Sequence, residues 1–174
     1  MRSRILSAAA AVVAATCLYA TSAAAREGAE TVPEQQLMLS ISVPGSANLG
    51  SAAPGGTLTA QLGTVRVADT RGGQARNWTV SVTSEGFTSG EHTIESSAVR
   101  YWSGPATASN GAGPFNPGQP NAASAVALNS RRTAFSRAGG IGNNAVSWVP
   151  SLWIEIPETA AAGTYTGTVT HSVL

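Results

Sequence analysis

The sequence predicts an all-β fold, an immunoglobulin-like antiparallel β-sandwich, and three observations carry that expectation. The last segment, Gly163 to Leu174, alternates cleanly. Tyr165, Gly167, Val169, His171 and Val173 fall on one face, and Thr166, Thr168, Thr170 and Ser172 on the other. A period of two with threonines on the wet side marks a half-buried strand of an antiparallel sheet. Short apolar runs also recur between turn signals such as Pro44-Gly45, Pro54-Gly55-Gly56 and Gly139-Gly140, at a spacing that fits roughly seven to nine short strands. Finally, charged residues make up only 11% of the chain while Gly, Ser, Thr and Ala abound, a composition suited to a secreted, turn-rich β protein. No helix of normal length is supported, and no internal repeat is visible.

The chain divides into a leader, a lead-in and one domain. Arg2 and Arg4 precede an apolar run from Ile5 to Ala20, and Ala23-Ala24-Ala25 supplies the small residues a signal peptidase accepts. Residues 1–25 are therefore read as a signal peptide with Arg26 as the mature start. The alternative, a membrane anchor, needs roughly 20 apolar residues to span a bilayer, and this run is shorter. Cys17, the single cysteine, lies inside the run. Ala14 and Thr16 ahead of it fit a lipidation signal poorly, so the mature chain is expected to carry no thiol, disulfide or cysteine metal site. Residues 26–36 are polar, with Glu27, Glu30 and Glu34, and read as a flexible lead-in. Residues 37–174 form the domain, since a mature chain of roughly 150 residues can bury about 70% of its unfolded surface without staples.

Along the domain, Leu37 to Val43 alternates as a first strand. Thr57 to Asp69 reads as one long or bulged strand, with Gly63 at the bulge. Thr70 to Asn77 reads as a hairpin-like connection to Trp78–Thr83, in which Trp78, Val80 and Val82 share a face. A strand is expected around Ile94 to Trp102. Ser103 to Ala123 is dense in Gly and Pro and is expected to be a long irregular loop. Ala125 to Asn129 is a short strand, followed by a loop holding Arg131, Arg132 and Arg137. Val146–Trp148 and Leu152–Ile156 are strands broken at Pro150, and the chain turns through 157–163 into the last strand.

Charge and chemistry-bearing residues exclude several functions. All ten basic residues are arginine against nine acids, which leaves no basic footprint for nucleic acid. The absence of lysine points to a G+C-rich genome of the actinobacterial kind. No acidic cluster suggests calcium, and two histidines, His92 and His171, without carboxylates in ligand spacing do not make a zinc site. No cofactor is implied. There is no Gly-x-Ser-x-Gly elbow, and Glu85, Glu91 and Glu95 lie near loop ends rather than converging as a catalytic pair. The expected protein is not an enzyme, with a small secreted hydrolase as a further alternative. Asn77-Trp-Thr79 matches a glycosylation acceptor but is read as coincidence in a bacterial product.

Two segments carry a family resemblance. Val65-Arg-Val-Ala-Asp-Thr-Arg71, leading through a short loop to Trp78-Thr-Val80, resembles the first half of a WxL domain, in which Asp-x-Arg precedes a Trp-x-Leu strand. Tyr165 to Val173 stands where that family has a Tyr-led strand ending in a second Trp-x-Leu. Here Val80 replaces the first Leu, His171 the second Trp and Val173 the second Leu. The resemblance implies a secreted Gram-positive surface protein held non-covalently on the cell wall, with peptidoglycan or a wall polymer, or else a surface protein, as partner. No stretch after the leader is apolar enough to cross a membrane, so no membrane association is expected once the leader is removed.

Periodicity places the motif positions Trp78, Val80, Tyr165, His171 and Val173 inward, so core packing is set against ligand contact there and preferred. The candidate ligand-facing residues lie elsewhere. Tyr101 and Trp102 are adjacent, so one must face outward. Trp153 alternates away from Leu152, Ile154 and Ile156. Outward aromatics can make a platform for sugar rings or a partner protein, unless the Ser103–Ala123 loop covers one of them. Arg131, Arg132 and Arg137 could attract an anionic polymer or simply sit in a solvated loop. The expected function is a secreted, non-catalytic wall-associated module, and the alternative is a structural subunit of an extracellular or adhesive assembly.

Overall fold

The computed structural model describes residues 6–12, 37–73 and 76–174. Cys17, the leader's end at Ala23–Arg26 and the lead-in 26–36 lie outside the described residues. Strand β1 is Leu6–Val12, within the run read as the leader, and β2 is Leu39–Ser42. Two short bridges, β3 (Ser46–Ala47) and β4 (Ser51–Ala52), follow. Next come β5 (Thr57–Gln61), β6 (Val65–Asp69) and β7 (Trp78–Ser84). The middle of the chain forms β8 (Phe87–Ser89), β9 (His92–Ile94), β10 (Val99–Trp102), β11 (Ala106–Asn110) and β12 (Phe115–Pro117). The last third forms β13 (Val126–Ala127), β14 (Arg132–Arg137), β15 (Asn144–Trp148), β16 (Ser151–Glu155) and β17 (Thr164–Val173). The described helical structure is two three-residue 3-10 turns, Ser96–Ala98 and Ala122–Ser124.

These strands make an all-β sandwich. One sheet runs β12-β14-β7-β17 and continues to β1 and β3, with β1 parallel to β17. Two antiparallel four-stranded sheets, β13-β10-β16-β5 and β11-β15-β6-β2, build the opposing layer. They are two halves of one creased layer. The segments β5–β6, β10–β11 and β15–β16 are each consecutive in the chain, and each pair passes from one half to the other. The crease falls at Gly63, Gly104 and Pro150. Gly63 (φ 91°) and Gly104 (φ 71°) hold left-handed backbone that a side chain would strain. Pro150 has no N–H to donate, but its carbonyl accepts from Leu62 N at 2.9 Å and ties two crease points together.

The layers meet through named pairs. Phe135 of β14 stacks on Trp148 of β15 with ring centroids 4.7 Å apart. Trp78 of β7 donates its indole N–H to Asn144 Oδ1 of β15 at 3.0 Å. The Tyr101 hydroxyl of β10 lies 3.1 Å from His171 Nε2 of β17. Around these, Val67, Val80, Val82, Val99, Leu152 and Val169 are buried completely or nearly so. The final strand alternates as its sequence requires, with Tyr165, Val169 and His171 buried. Trp78, Val80 and Val82 likewise share the inner face of β7.

Several expectations are corrected by the pairing. Thr57–Asp69 is two strands in different halves of the layer, because Gly63 turns the chain rather than bulging it. The Thr70–Asn77 connection is no hairpin. β6 pairs with β15 and β2, whereas β7 pairs with β14 and β17, so the chain crosses between layers here. Ile94–Trp102 is interrupted by the 3-10 turn at Ser96–Ala98. Ser103–Ala123 holds two strands, β11 and β12. All five residues of β11 are exposed, so no apolar period marks it, and backbone pairing with β15 alone defines it. The segment after Asn129 is likewise the strand β14, carrying Arg132 and Arg137, and not a loop.

Trp78 is 2% exposed and its N–H is committed to Asn144. Trp78→Ala should cost about 3–5 kcal/mol from the lost ring and its cavity. Trp78→Phe keeps most of the apolar area but orphans Asn144 Oδ1, and should cost about 1–3 kcal/mol. Urea unfolding followed by circular dichroism checks both, and a Phe variant as stable as wild type would show that the hydrogen bond carries nothing.

Candidate functional site

The outer face of the β13-β10-β16-β5 sheet carries the two tryptophans that alternation sends outward. Arg100 pairs with Trp153 across β10 and β16, and Trp102 pairs with Ser151. Trp102 and Trp153 are therefore diagonal neighbours on one face, a spacing of roughly 7–8 Å in a sheet. Both are half-buried, while Val99, Tyr101, Leu152 and Ile154 between them point into the core. β5 continues the same face, with Thr59 opposite Trp153 and Gln61 opposite Ser151. The Arg100 guanidinium carbon lies 5.9 Å from the centre of the Trp153 ring, and its Nε is 3.7 Å from Glu155 Oε1. An exposed cation–π contact of this kind is worth about 0.5–1 kcal/mol. Two indole faces, hydroxyl and amide neighbours and one exposed Arg–Glu pair suit stacking against a ring that is apolar on its face and polar at its rim.

The other candidates fall in different places. Tyr101 is fully buried and does not face a ligand. It holds the inward parity of β10, and its adjacency to Trp102 is what sends Trp102 out. Arg137 is 1% exposed and is also no ligand contact. It lies opposite Trp78 on β14. Its fork donates to the carbonyl oxygens of Ala112 and Arg76 and lies over Phe115, with 5.8 Å from the guanidinium carbon to the ring centre. A guanidinium can be buried this way because several acceptors meet its planar donors. Arg132 is half-buried, with Nε bonded to Ala127 O at 2.9 Å and Nη2 to Asn129 Oδ1 at 3.3 Å. Arg131 is exposed. The three arginines therefore do not converge.

The motif residues form the interior frame. Val80 lies opposite Val173, and Val82 opposite His171, so the two motif strands are direct neighbours. Tyr165 is buried and donates its hydroxyl to Ala161 O at 3.1 Å. Asp69 accepts from Arg71 Nε at 2.8 Å and Nη2 at 2.9 Å, and its Oδ2 accepts from Asn144 Nδ2 at 3.3 Å. The chain Arg71–Asp69–Asn144–Trp78 thus joins Asp-x-Arg to the motif tryptophan through one buried amide. The Arg71 hydrogen bonds, helped by Asn144 and opposed by burial, hold the Asp69 carboxyl at about 2.

His171 is buried, and its Nδ1 has no hydrogen-bond partner among the described residues. Burial lowers its pKa from 6.5 to about 4, and burial raises that of Tyr101. Among the described residues no group of three His, Cys, Asp or Glu is placed to hold a metal ion, and no helix is long and apolar enough to cross a membrane. The sequence reading missed Asn144, Arg100 and Phe115. Asn144 shares the inward parity of Val146 and Trp148, and that parity was the available signal. No protein-family model matches the sequence, and no curated protein matches it.

The unfolded chain protonates His171 near pH 6.5, whereas the folded chain resists until about pH 4. Between those values the unfolded state binds more protons, so stability must fall as pH drops through the window, by roughly 3 kcal/mol in all. The Asp69 contribution is lost only below that, as pH falls from 3.8 towards about 2. Urea midpoints measured from pH 7.5 to 4 should decline in wild type and stay flatter in His171→Asn. An identical slope in both would place the titrating group elsewhere.

Proposed function

We propose that this chain is a secreted, non-catalytic surface module, a divergent WxL-like domain that associates non-covalently with a Gram-positive cell wall. The observation that carries the reading is the shared face of Trp102 and Trp153, with Arg100 over one ring. Half-exposed indoles at neighbouring positions hold apolar area in water, a cost that a partner's ring would relieve. The motif positions contribute rigidity instead of contact. Trp78 and His171 are buried and meet Asn144 and Tyr101, respectively, across the sandwich, and the His171–Tyr101 contact supports the sheet that presents the outer aromatics. The hydrolase reading gains nothing from this arrangement, since His171 is enclosed and the Asp69 carboxylate is occupied by Arg71 and Asn144.

One observation favours the alternative, a structural subunit of an extracellular assembly. β11 ends its sheet with five exposed residues, and an edge strand can pair with a strand of another chain. Co-sedimentation with purified cell wall separates the two readings, because a wall module sediments with it as a monomer and a subunit self-associates in its absence. Replacing Trp102 and Trp153 together with Ala should leave the fold intact, at about 1 kcal/mol or less per site, and reduce wall binding several-fold. Full binding by a folded double variant would remove the aromatic face from the account.

A further inference from the structure

The outer face of the other half of the creased layer carries a second feature. Register places Ser42 and Arg66, then Ser147 and Ala108, in one row, and Ser40, Ala68, Ala145 and Asn110 in the next. Short side chains leave the sheet surface open, and two adjoining hollows of about 420 and 120 Å³ form over it. Both are lined by Arg66, Asn110 and Ala145, and the larger also by Asn143. Arg66 is exposed and has no ion pair or hydrogen bond among the described residues. Asp69 in the groove wall does not cancel its charge, because that carboxylate is already matched by Arg71 at 2.8 Å. The groove therefore holds one uncompensated positive charge, with the side-chain amides of Asn110 and Asn143 beside it.

We propose that this groove binds an anionic group, a phosphodiester or carboxylate carried on a polymer, with the Arg66 guanidinium as its principal contact. A guanidinium presents a planar donor fork that fits either oxyanion. The two outer faces belong to one layer and adjoin at the crease. A chain lying across the layer could stack on Trp153 and Trp102 and place its charge at Arg66. This placement rests on the wall-association reading for the polymer, whereas the anion preference of the groove stands without it.

The test uses the full chain and three probes: poly(glycerol phosphate), polygalacturonate and uncharged dextran. Binding is measured by calorimetry at low and moderate salt. The charged probes should bind more tightly than dextran, with an affinity that falls as salt rises. Arg66→Gln should weaken them about tenfold or more and flatten the salt dependence, while Arg66→Lys retains most of it. The phosphate and galacturonate arms show which oxyanion is preferred. Equal affinity of wild type and Arg66→Gln for both charged probes would overturn the proposal, as would dextran binding as tightly as they do. The Trp102/Trp153 double variant in the same assay separates the two ideas. Loss of all binding there, with Arg66→Gln unaffected, removes the groove and leaves the aromatic face. Loss only in Arg66→Gln does the reverse. Since Arg66 is exposed, both Arg66 variants should melt within a few degrees of wild type.

Discussion

One buried amide holds this sandwich in register. Asn144 stands at the start of β15 with inward parity, where an apolar residue would be expected, and spends its two ends in opposite directions. Its Oδ1 accepts from the Trp78 indole of the facing layer, and its Nδ2 donates to Asp69 on the neighbouring strand β6. Because Asp69 is in turn gripped by Arg71, one connected set of hydrogen bonds spans both layers and the crossover between β6 and β7. A buried polar group is costly when its partners are missing, so the network favours the one arrangement of layers in which all members are satisfied.

That constraint explains the division of labour across the surface. With Trp78, Tyr101, Trp148 and His171 turned inward, strict alternation leaves Arg100, Trp102 and Trp153 outside on one half of the creased layer. The same alternation leaves Arg66 and Asn110 outside on the other half. The residues that carry the family resemblance are thus the frame. The exposed faces of the creased layer come from residues that no motif marks. Arg137 shows the same logic on the far side, where a charged side chain is used to pin two loop carbonyls and cover Phe115.

The legible part of this fold was what a period of two can express. The alternation of Trp78–Val82 and of Tyr165–Val173, the outward parity of Trp153 and the break at Pro150 were readable because burial on one face leaves a mark at every second residue. The pairing of strands was not readable. Nothing local tells β6 to pair with β15 in preference to β7, since that choice is made by contacts 60 or more residues apart, such as Trp78 with Asn144. β11 escaped notice because all of its residues are exposed and only its backbone is engaged. Arg137 was misplaced for the opposite reason: an arginine beside glycines reads as loop, and its carbonyl partners come from two distant segments. The aromatic face was half legible. Alternation gave the direction of each tryptophan, but only the β10–β16 register shows that they share a surface.

The central claim is that Asn144 couples the two layers, and it is tested most directly by a double-mutant cycle on two residues that do not touch each other. Asp69→Ala and Trp78→Phe, singly and together, are compared by urea unfolding at pH 7. If both act through Asn144, their effects should depart from additivity by about 1 kcal/mol or more. Additivity within roughly 0.3–0.5 kcal/mol would mean that the two hydrogen bonds are independent and that the layers are held in register by apolar packing alone.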